Sequence, residues 1–330
     1  MRHDIEVHGS CSGTACARVR RRSLLAIAVG ALLFTLAAPV AQAADHDDTP
    51  ALKAAPRHEA RITDLHVFTK EQAGPGGKPR PYLVISLCTN PTIPPSATSY
   101  AFPSDLTLTI NVDRTSKVDF AIDPVATSTY GGTIVDPAAI APEITFTITF
   151  DEGGQPHLAT DGLDADAPIR FFAGLRDDPF IRGPRQGRNV GSIVLELPLQ
   201  IVAAGRSHKN LLVWATSSVP APGGPIGDLG ARALRSQLTP NLALNDYFDP
   251  ADHALVLGVV PDVLIFNTTQ PALFPNGRRL TDDVVDLVGD AGVLSTDCPA
   301  PGDPVKCYPM TNDLPFLESF PYLAPPHPAP

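Results

Sequence analysis

Alternation of apolar and polar residues is the dominant pattern along the chain. Over 106–112, Leu, Ile and Val alternate with Thr and Asn, and the alternation resumes over 118–122 after a polar turn at 113–116. The segment 144–150 repeats it, with Ile and Phe between threonines. A period of two predicts strands with one buried face. We therefore expect strands in these three segments, with the first two paired as a hairpin.

Three runs are denser in apolar residues, at 82–87, 193–197 and 211–215. Continuous apolar runs of this length predict strands that are buried on both faces. Helix signals are few and lie at 228–238 and 281–288. The pattern predicts a mainly β fold of two packed antiparallel sheets, sandwich-like, with a few peripheral helices in the C-terminal half.

The first 43 residues have the pattern of an export signal. Arginines precede an apolar run over 24–38, and Ala41-Gln42-Ala43 fits a small-residue cleavage site. The run is shorter than the ~20 residues of a membrane-spanning helix. We therefore expect a signal peptide over 1–43 and a single β-rich domain over 44–330 without a transmembrane segment. Arg21-Arg22-Ser-Leu-Leu also fits a twin-arginine signal, so Sec or Tat export to the periplasm or the exterior is expected.

Composition and motifs narrow the class of function. The chain has a formal net charge of −10 and 43% hydrophobic residues. It can therefore bury a core, but it offers no basic face for a phosphate backbone, and we expect no nucleic-acid partner. The sequence contains no G-x-S-x-G elbow, no H-E-x-x-H, no Walker loop and no G-x-G-x-x-G turn. No catalytic residue is predicted.

Three cysteines lie outside the predicted signal: Cys88, Cys298 and Cys307. Cys298 and Cys307 bracket a short proline-rich segment, and closing a short, stiff loop costs little entropy. In an exported protein we therefore expect a disulfide between them. Their spacing, with no histidine nearby, does not match structural zinc sites. Cys88 ends an apolar run and is expected to be a buried thiol.

Several strings in the chain resemble a known family. They are FAGLRDDPF at 172–180, NVGSIVLELP at 189–198, FPNGRRLTDDVVDLV at 274–288 and FPYLAPPHP at 320–328. Together they resemble the DUF4331 family of secreted bacterial proteins, a domain of unknown function. The resemblance runs from about His46 to Pro328. It implies a secreted domain and carries no established activity.

Two of these strings concentrate charge. Their charged residues include Arg176, Asp177, Asp178, Arg278, Asp282 and Asp283. Like charges at close range repel, so four converging carboxylates need a cation or arginine partners. We expect Asp177 and Asp178 to lie beside Asp282 or Asp283 around a divalent cation, with the arginines balancing the charge. Calcium is the expected ion because it prefers several carboxylate oxygens. The alternative is a structural corner, in which arginines pair with the carboxylates and the second Asp pair opposes a helix dipole.

The predicted mature N-terminus offers another candidate metal ligand. His46 lies among the acidic residues Asp45, Asp47 and Asp48. Imidazole and carboxylate together can bind a transition metal. The alternative is a solvated terminus, because chain ends are commonly mobile.

Two classes of function are compatible with this sequence. The first is a non-enzymatic envelope or extracellular binding module stabilised by a divalent cation, and the absence of catalytic motifs favours it. The second is a metal-dependent hydrolase or redox enzyme that uses scattered Asp and His ligands. A stoichiometric transition metal in the purified protein would favour the enzyme, whereas calcium or no metal would favour the module.

We expect mass spectrometry of the exported protein to show a chain that starts at Ala44 or Asp45, since cleavage is predicted after Ala43. The same spectrum should contain the bridge between Cys298 and Cys307. An intact N-terminal Met on a membrane-bound form would contradict the cleavage. Alkylation of both thiols without reduction would exclude the bridge.

Overall fold

The structure, a computed structural model, describes most of the chain that follows residue 47. The described residues are 48–123, 127, 129–181, 187–203, 209–235, 244–285, 287 and 311–328. Three predictions lie outside them: the signal peptide over 1–43, His46 as a ligand and the disulfide between Cys298 and Cys307. All described residues belong to one compact unit, Ala41–Pro330.

Antiparallel β-strands make up most of the regular structure. In chain order they are β1 (Ile62–Ala73), β2 (Pro79–Thr89), β3 (Thr107–Asp113), β4 (Val118–Asp119), β5 (Thr133–Ile134), β6 (Ile144–Phe150), β7 (Pro156–Asp161), β8 (Arg170–Asp177), β9 (Asn189–Pro198), β10 (Asn210–Val219), β11 (Ile226–Gly230) and β12 (Leu264–Asn267). The short helices are α1 (Pro50–Ala54), α2 (Leu199–Val202) and α3 (Pro250–Leu255), and 3₁₀ segments lie at His58–Ala60, Pro75–Gly77, Pro137–Ala139 and Leu244–Asp246. In the part of the chain that the structure describes, no helix has the length and apolar character needed to cross a membrane.

The strands form two main sheets that share one hydrophobic core. Sheet 1 has the order β1-β2-β9-β8, and sheet 2 has the order β11-β10-β3-β6-β7, with β12 also paired to β10. Leu87 and Ile193 are paired in sheet 1, and Ile110 and Phe146 are paired in sheet 2. All four side chains are fully buried in the same apolar cluster. The predicted mainly β, sandwich-like fold of antiparallel sheets is therefore confirmed.

The apolar runs predicted as strands are confirmed. The runs 82–87, 193–197 and 211–215 lie in β2, β9 and β10, which have neighbours on both sides. The alternating segment 144–150 is β6, where buried Ile and Phe alternate with more exposed threonines. The two patterns differ because β6 buries one face, whereas all ten residues of β9 are buried.

The predicted hairpin between 106–112 and 118–122 is wrong. β3 pairs with β6 and β10, and the short β4 pairs with β5 instead. The carboxylate of Asp113 accepts hydrogen bonds from the backbone N–H groups of Thr115 at 2.7 Å and Ser116 at 2.8 Å. These bonds form a turn that directs the chain away from β3. Both edges of β3 then pair with strands from distant parts of the chain.

The predicted helix over 228–238 is wrong for residues 228–234, whereas Arg235 is helical and residues 236–238 lie outside the described residues. Residues 226–230 form β11, and Ser217 on β10 pairs with Asp228. The Asp228 carboxylate is buried and accepts a hydrogen bond from the N–H of Ile62 at 3.1 Å. This strand pairing and buried bond outweigh the helix propensity of the Ala, Leu and Arg residues in the segment, since propensity is a weak preference.

Sheet 1 is covered on its outer face by the C-terminal segment, residues 311–328. The ring of Tyr322 packs against Phe68 of β1, with the ring centroids 6.1 Å apart. The guanidinium of Arg170 on β8 lies over the ring of Phe320, 4.4 Å from its centroid. An irregular segment from the far end of the chain therefore buries part of this face.

A buried carboxylate joins the C-terminal segment to sheet 1. Glu196 lies on the inner strand β9 and is fully buried. Its Oε1 accepts a hydrogen bond from Arg170 Nη1 at 2.7 Å. Its Oε2 accepts bonds from Gln72 Nε2, at 3.1 Å, and from the hydroxyl of Tyr322. Burial, and then Glu196 itself, raise the pKa of Tyr322, so the hydroxyl stays protonated and donates.

We expect Tyr322→Phe to lower the free energy of unfolding by about 1–3 kcal/mol, because Glu196 would lose a donor while remaining buried. The melting temperature should fall by about 2–4 °C for each kcal/mol. Thermal unfolding followed by circular dichroism measures the change. Tyr82→Phe on the neighbouring strand β2 is the control and should change the stability by no more than about 0.5 kcal/mol. Equal melting temperatures for the wild type and Tyr322→Phe would contradict the role of this hydroxyl.

Candidate metal centre

Asp177 lies where strand β8 ends beside the C-terminal segment. It is the last residue of β8 and pairs with Asn189, the first residue of β9. Its backbone N–H donates to the carbonyl oxygen of Ala324 at 3.4 Å, and the backbone N–H of His327 donates to Asn189 Oδ1 at 2.9 Å. Pro179 has no N–H and cannot extend the ladder. The C-terminal segment therefore runs alongside the end of the β8–β9 pair.

Three metal-ligating side chains converge at this point. Asp177, Asp313 and His327 each offer one ligand atom, and these atoms all lie within 4.8 Å of one another. His327 Nε2 is 2.8 Å from Asp177 Oδ1 and 3.3 Å from Asp313 Oδ2. Among the residues described, no other group of three or more His, Cys, Asp or Glu side chains meets this criterion. A strand end and two positions of the C-terminal segment thus form one site.

Two of the ligand atoms are buried without a hydrogen-bond partner. Asp177 Oδ1 and His327 Nε2 lie 2.8 Å apart and form an ion pair when the imidazole is protonated, but neither atom has a hydrogen-bond partner among the described residues. The side chain of Asp177 is 1% exposed, and those of Asp313 and His327 are 20% and 17% exposed. Buried polar atoms in proteins nearly always have a partner. When the imidazole is neutral, both atoms are available to bind a cation.

Neighbouring groups orient the carboxylates. Asn312 Nδ2 donates to Asp177 Oδ2 at 2.5 Å, and the backbone N–H of Gly187 donates to Asp313 Oδ2 at 2.6 Å. Asn312 Nδ2 also donates to a backbone carbonyl within the C-terminal segment. Surrounding hydrogen bonds of this kind hold metal ligands in the orientation that binding needs.

The surroundings of Asp177 favour its protonated form in the metal-free protein. Burial raises the pKa of Asp177 to about 8, and the carboxylates of Asp313 and Asp178 add to the rise, while the hydrogen bond from Asn312 opposes it. A divalent cation would have the opposite effect, because an adjacent positive charge favours the carboxylate. Metal binding at this site should therefore release a proton.

The donor set fits a divalent transition metal. Two carboxylates neutralise the charge of a divalent ion, and imidazole is a ligand typical of Zn, Cu, Fe and Ni. At metal–ligand distances of about 2.0–2.2 Å, the ligand atoms of a tetrahedral site are roughly 3.3 Å apart. The separation between Asp313 and His327 is 3.3 Å. The 2.8 Å contact between Asp177 and His327 would widen by about 0.5 Å to reach the same geometry.

Of the predicted ligands that the structure describes, Asp177 alone belongs to this group. The carboxylate of Asp178 accepts a hydrogen bond from the backbone N–H of Phe180 at 3.1 Å. The guanidinium of Arg176 lies over the ring of Phe172, 4.2 Å from its centroid. Arg176 and Asp178, on either side of Asp177, therefore make contacts outside the group formed by Asp177, Asp313 and His327.

Asp282 and Asp283 immediately precede a helical turn. Asp282 Oδ2 accepts hydrogen bonds from the backbone N–H groups of Phe274 at 3.0 Å and Arg279 at 2.8 Å. Its Oδ1 lies 2.7 Å from Arg279 Nη2. The carbonyl oxygen of Asp283 accepts a hydrogen bond from the N–H of Leu287 at 3.0 Å. Asp282 is therefore paired with an arginine and with backbone N–H groups, but the arginine is Arg279 and not the Arg176 or Arg278 of the sequence hypothesis.

The two charged strings are nevertheless neighbours through their apolar residues. Phe180 packs against a buried cluster that includes Phe274 and Val284. Arg278 donates from Nη2 to Asp64 Oδ1 at 2.7 Å, and both side chains are buried. The strings therefore approach each other, while Arg278 pairs with a carboxylate of β1.

Cys88 is a buried free thiol, as predicted. Its Sγ lies 3.6 Å from Ser192 Oγ. Burial raises the pKa of the thiol well above its usual value, and the carboxylates of Asp64 and Asp178 add to the rise. A protonated, buried thiol of this kind is chemically inert.

Asp313 and His327 were not predicted from the sequence. Neither lies in a dense charged string, because Asp313 follows Thr311-Asn312 and His327 lies between prolines. A signal was present in FPYLAPPHP, where His327 is the one titratable group besides a tyrosine. Charge density along the chain is a poor guide to ligands that converge in space from separate segments.

Similarity to known proteins does not identify this site. No protein-family model, no curated protein and no solved structure matches the chain. The assignment of a metal therefore depends on the distances, burial and donor chemistry around Asp177.

In chelator-treated protein, we expect the free energy of unfolding to fall as the pH rises from about 4 to about 8. The folded protein keeps the proton on Asp177, whose pKa is about 8, while the unfolded chain releases it near the usual value of about 3.9. Stability falls with pH wherever the folded state binds more protons. This contribution is therefore present at low pH and is lost as the pH rises through the folded-state pKa.

Urea unfolding at a series of pH values measures the slope. Asp177→Asn should remove this part of the pH dependence, whereas Asp164→Asn, at an exposed position, should leave it unchanged. The same slope in the wild type and in Asp177→Asn would contradict the raised pKa.

Proposed function

We propose that this protein is an exported, non-enzymatic binding module whose fold is stabilised by a divalent metal ion bound to Asp177, Asp313 and His327. The observation that carries the proposal is the convergence of three ligand atoms within 4.8 Å. Two of these atoms are buried and have no hydrogen-bond partner among the described residues. The absence of catalytic motifs from the sequence supports a binding role over an enzymatic one.

A bound metal would join two separate parts of the fold. Asp177 ends β8, whereas Asp313 and His327 lie near the two ends of the C-terminal segment that packs on sheet 1. Holding both ends of this segment against β8 would keep Tyr322 in place over Glu196. A ligand that binds the folded state alone stabilises it by mass action.

We infer a transition metal in place of the calcium that the sequence suggested. Calcium takes about 6–8 oxygen ligands, whereas one of the three donors here is an imidazole nitrogen. Zinc and manganese suit a mixed nitrogen and carboxylate set. Calcium was expected from four converging carboxylates, but Asp282 is paired with Arg279.

A metal-dependent hydrolase is the second candidate. The side chains of Asp313 and His327 are partly exposed, so solvent could reach a bound metal. Three protein ligands leave a fourth tetrahedral position for water, which is the arrangement of catalytic rather than structural zinc. Metal-bound water is a nucleophile near neutral pH.

The proposed location is the periplasm or the exterior of the cell. Its support is the segment 1–43, which has the pattern of a signal peptide and is compatible with either the Sec or the Tat route. The strings that resemble the secreted DUF4331 family agree with export. Membership of that family is part of this proposal.

Metal content and thermal stability test the metal site. Protein purified without chelator should contain a stoichiometric transition metal. This result alone fits the module and the hydrolase alike, because both place the metal at Asp177, Asp313 and His327, so the hydrolysis assay is needed to distinguish the two. After chelator treatment, zinc or manganese at about 100 times its dissociation constant should stabilise the fold by about 2.7 kcal/mol. The melting temperature should then rise by roughly 5–10 °C.

Substitutions at the proposed ligands distinguish this metal site from the four-carboxylate site and from a hydrolase. Asp313→Asn and His327→Gln should abolish the metal response, whereas the exposed control Asp164→Asn should keep it. A calcium response that survives His327→Gln but is lost in Asp282→Asn would contradict the proposal and favour the four-carboxylate site. Metal-dependent hydrolysis of a chromogenic ester or phosphate monoester that is lost in His327→Gln would favour the hydrolase.

A further inference from the structure

Most of the exposed large apolar side chains lie in one region of the protein. Among the described residues there are eight such side chains, and six of them lie on or next to the β4–β5 hairpin or on helix α3 and the loop after it. These six, which we call the apolar patch, are Phe120, Ile122, Val135, Leu255, Val256 and Val260, and they are 40–64% exposed. Single exposed apolar residues are ordinary, whereas a contiguous group of them marks an interaction site.

Backbone and packing contacts bring the two halves of the apolar patch together. The N–H of Val135 donates to the carbonyl oxygen of Lys117 at 3.0 Å, so Val135 extends the hairpin. Helix α3 packs against the 3₁₀ segment Pro137–Ala139, which closely follows the hairpin. The hairpin, this segment and the loop after α3 surround one cavity of about 450 Å³. Ile122 from one half and Val260 from the other both line it.

The interior of the cavity is mainly apolar. Its lining includes Ile134, Pro137, Ala254 and Val259. The ring of Tyr130 also lines it, and the buried guanidinium of Arg232 lies against this ring, 4.2 Å from its centroid, without lining the cavity itself. Cavities of about 300–1,000 Å³ with apolar walls are typical of binding sites. A large apolar side chain of a partner can therefore be buried here.

The charged side chains around the apolar patch are mostly acidic. Over 117–123, 130–139 and 250–260, the exposed or half-exposed charged residues are Lys117, Asp119, Asp123, Asp136 and Asp252. Asp136 lies between the exposed Val135 and the lining residue Pro137. The carboxylates outnumber the single ammonium group even when Asp123 is left out of the count. Electrostatic complementarity selects partners, so this rim favours a basic partner over an acidic one.

The extent of the apolar patch favours a macromolecule over a small ligand. A molecule held within the cavity would leave Phe120, Val135 and Leu255 exposed, because these side chains do not line it. A partner that inserts one apolar side chain and also covers the rim would bury all of them. Protein interfaces commonly place an anchoring side chain in a pocket and surround it with contacts that exclude water. The acidic rim opposes both a second copy of this chain and an anionic lipid surface.

We propose that the apolar patch docks a basic, amphipathic polypeptide segment of another protein. One apolar side chain of that segment fills the cavity between Ile122 and Val260, and its other apolar residues cover the rim. Its Lys or Arg residues face the carboxylates of Asp119 and Asp136. The patch shares no residue with the group around Asp177, so this docking site does not depend on the proposed metal.

Four synthetic peptides of about 14 residues, roughly four helical turns, test the chemistry of the partner. Three share the same Leu residues and a central Trp on one face and carry Lys, Gln or Glu on the other. In the fourth, Ala replaces the Leu and Trp residues of the Lys peptide. Fluorescence anisotropy of each labelled peptide with the full exported protein, at physiological ionic strength, gives the dissociation constants.

The Lys peptide should bind at least about tenfold more tightly than the Glu peptide, with the Gln peptide between them, because the rim attracts Lys and repels Glu. The Ala-substituted peptide should show no measurable binding, since it has no large side chain to fill the cavity.

Substitutions at exposed positions test the location. The double variant Ile122→Ser, Val260→Ser should weaken binding of the Lys peptide at least about tenfold, because two aliphatic side chains would no longer be buried against it. Leu273→Ser, at an exposed apolar position outside the patch and the cavity, should leave the affinity unchanged. Asp136→Asn should weaken binding about two- to fivefold, as expected for one exposed charge pair. Glu152→Gln, in the exposed turn between β6 and β7, is its control and should have no effect.

Equal affinities for the Lys, Gln and Glu peptides would overturn the proposal. Binding of the Lys peptide that survives the double variant would also overturn it and would show a non-specific attraction to an acidic protein. A dimer in analytical ultracentrifugation that the double variant disrupts would identify a second copy as the occupant instead. Binding to phosphatidylcholine vesicles that the double variant abolishes, without binding of the Lys peptide, would identify a lipid surface.

Discussion

The burial of Glu196 is the constraint on which the outer side of sheet 1 depends. A carboxylate that is removed from water must be paired and hydrogen-bonded, because an isolated buried charge is strongly destabilising. Glu196 lies on an inner strand of the sheet, and its partners come from three separate parts of the chain: Gln72, Arg170 and Tyr322. The hydrogen bond from Tyr322 to Glu196, together with apolar contacts, therefore holds the C-terminal segment on sheet 1.

The position of Tyr322 in turn directs the rest of the C-terminal segment. Beyond Tyr322 the backbone bonds at Ala324 and His327 keep the chain against the ends of β8 and β9. His327 then reaches Asp177 from one end of the segment, and Asp313 reaches the same point from the other. The proposed metal site is thus a consequence of how the outer face of sheet 1 is covered. A metal there would reinforce the same packing that brings its ligands together.

The proposed metal site uses buried charge within an acidic chain. Around Asp177, carboxylates in a partly buried environment favour a cation. The net charge of −10 does not indicate where this site lies, because charges on the surface are screened by solvent. Buried charges act through a lower effective dielectric and dominate their own surroundings. Local burial, rather than overall charge, decides what the site would bind.

The pattern of apolar positions was sufficient to predict the class of fold. The alternation over β6 and the continuous apolar runs of β2, β9 and β10 report how many faces of each strand are buried, and this is a local property of the sequence. Strand partners are not local: β3 pairs with β6 and β10 instead of β4, and Asp228 lies in a strand because of its pairing with β10. The candidate metal site likewise combines one residue that the local sequence indicated with two that it did not. Asp177 was predicted from its charged string, whereas Asp313 and His327 lie beside it because the chain path around Glu196 and Tyr322 places them there. Only the tertiary structure decides such contacts, since they join residues more than a hundred positions apart, such as Glu196 and Tyr322 at a separation of 126. The periodicity of a sequence, by contrast, records the environment of each segment and not the identity of its neighbours.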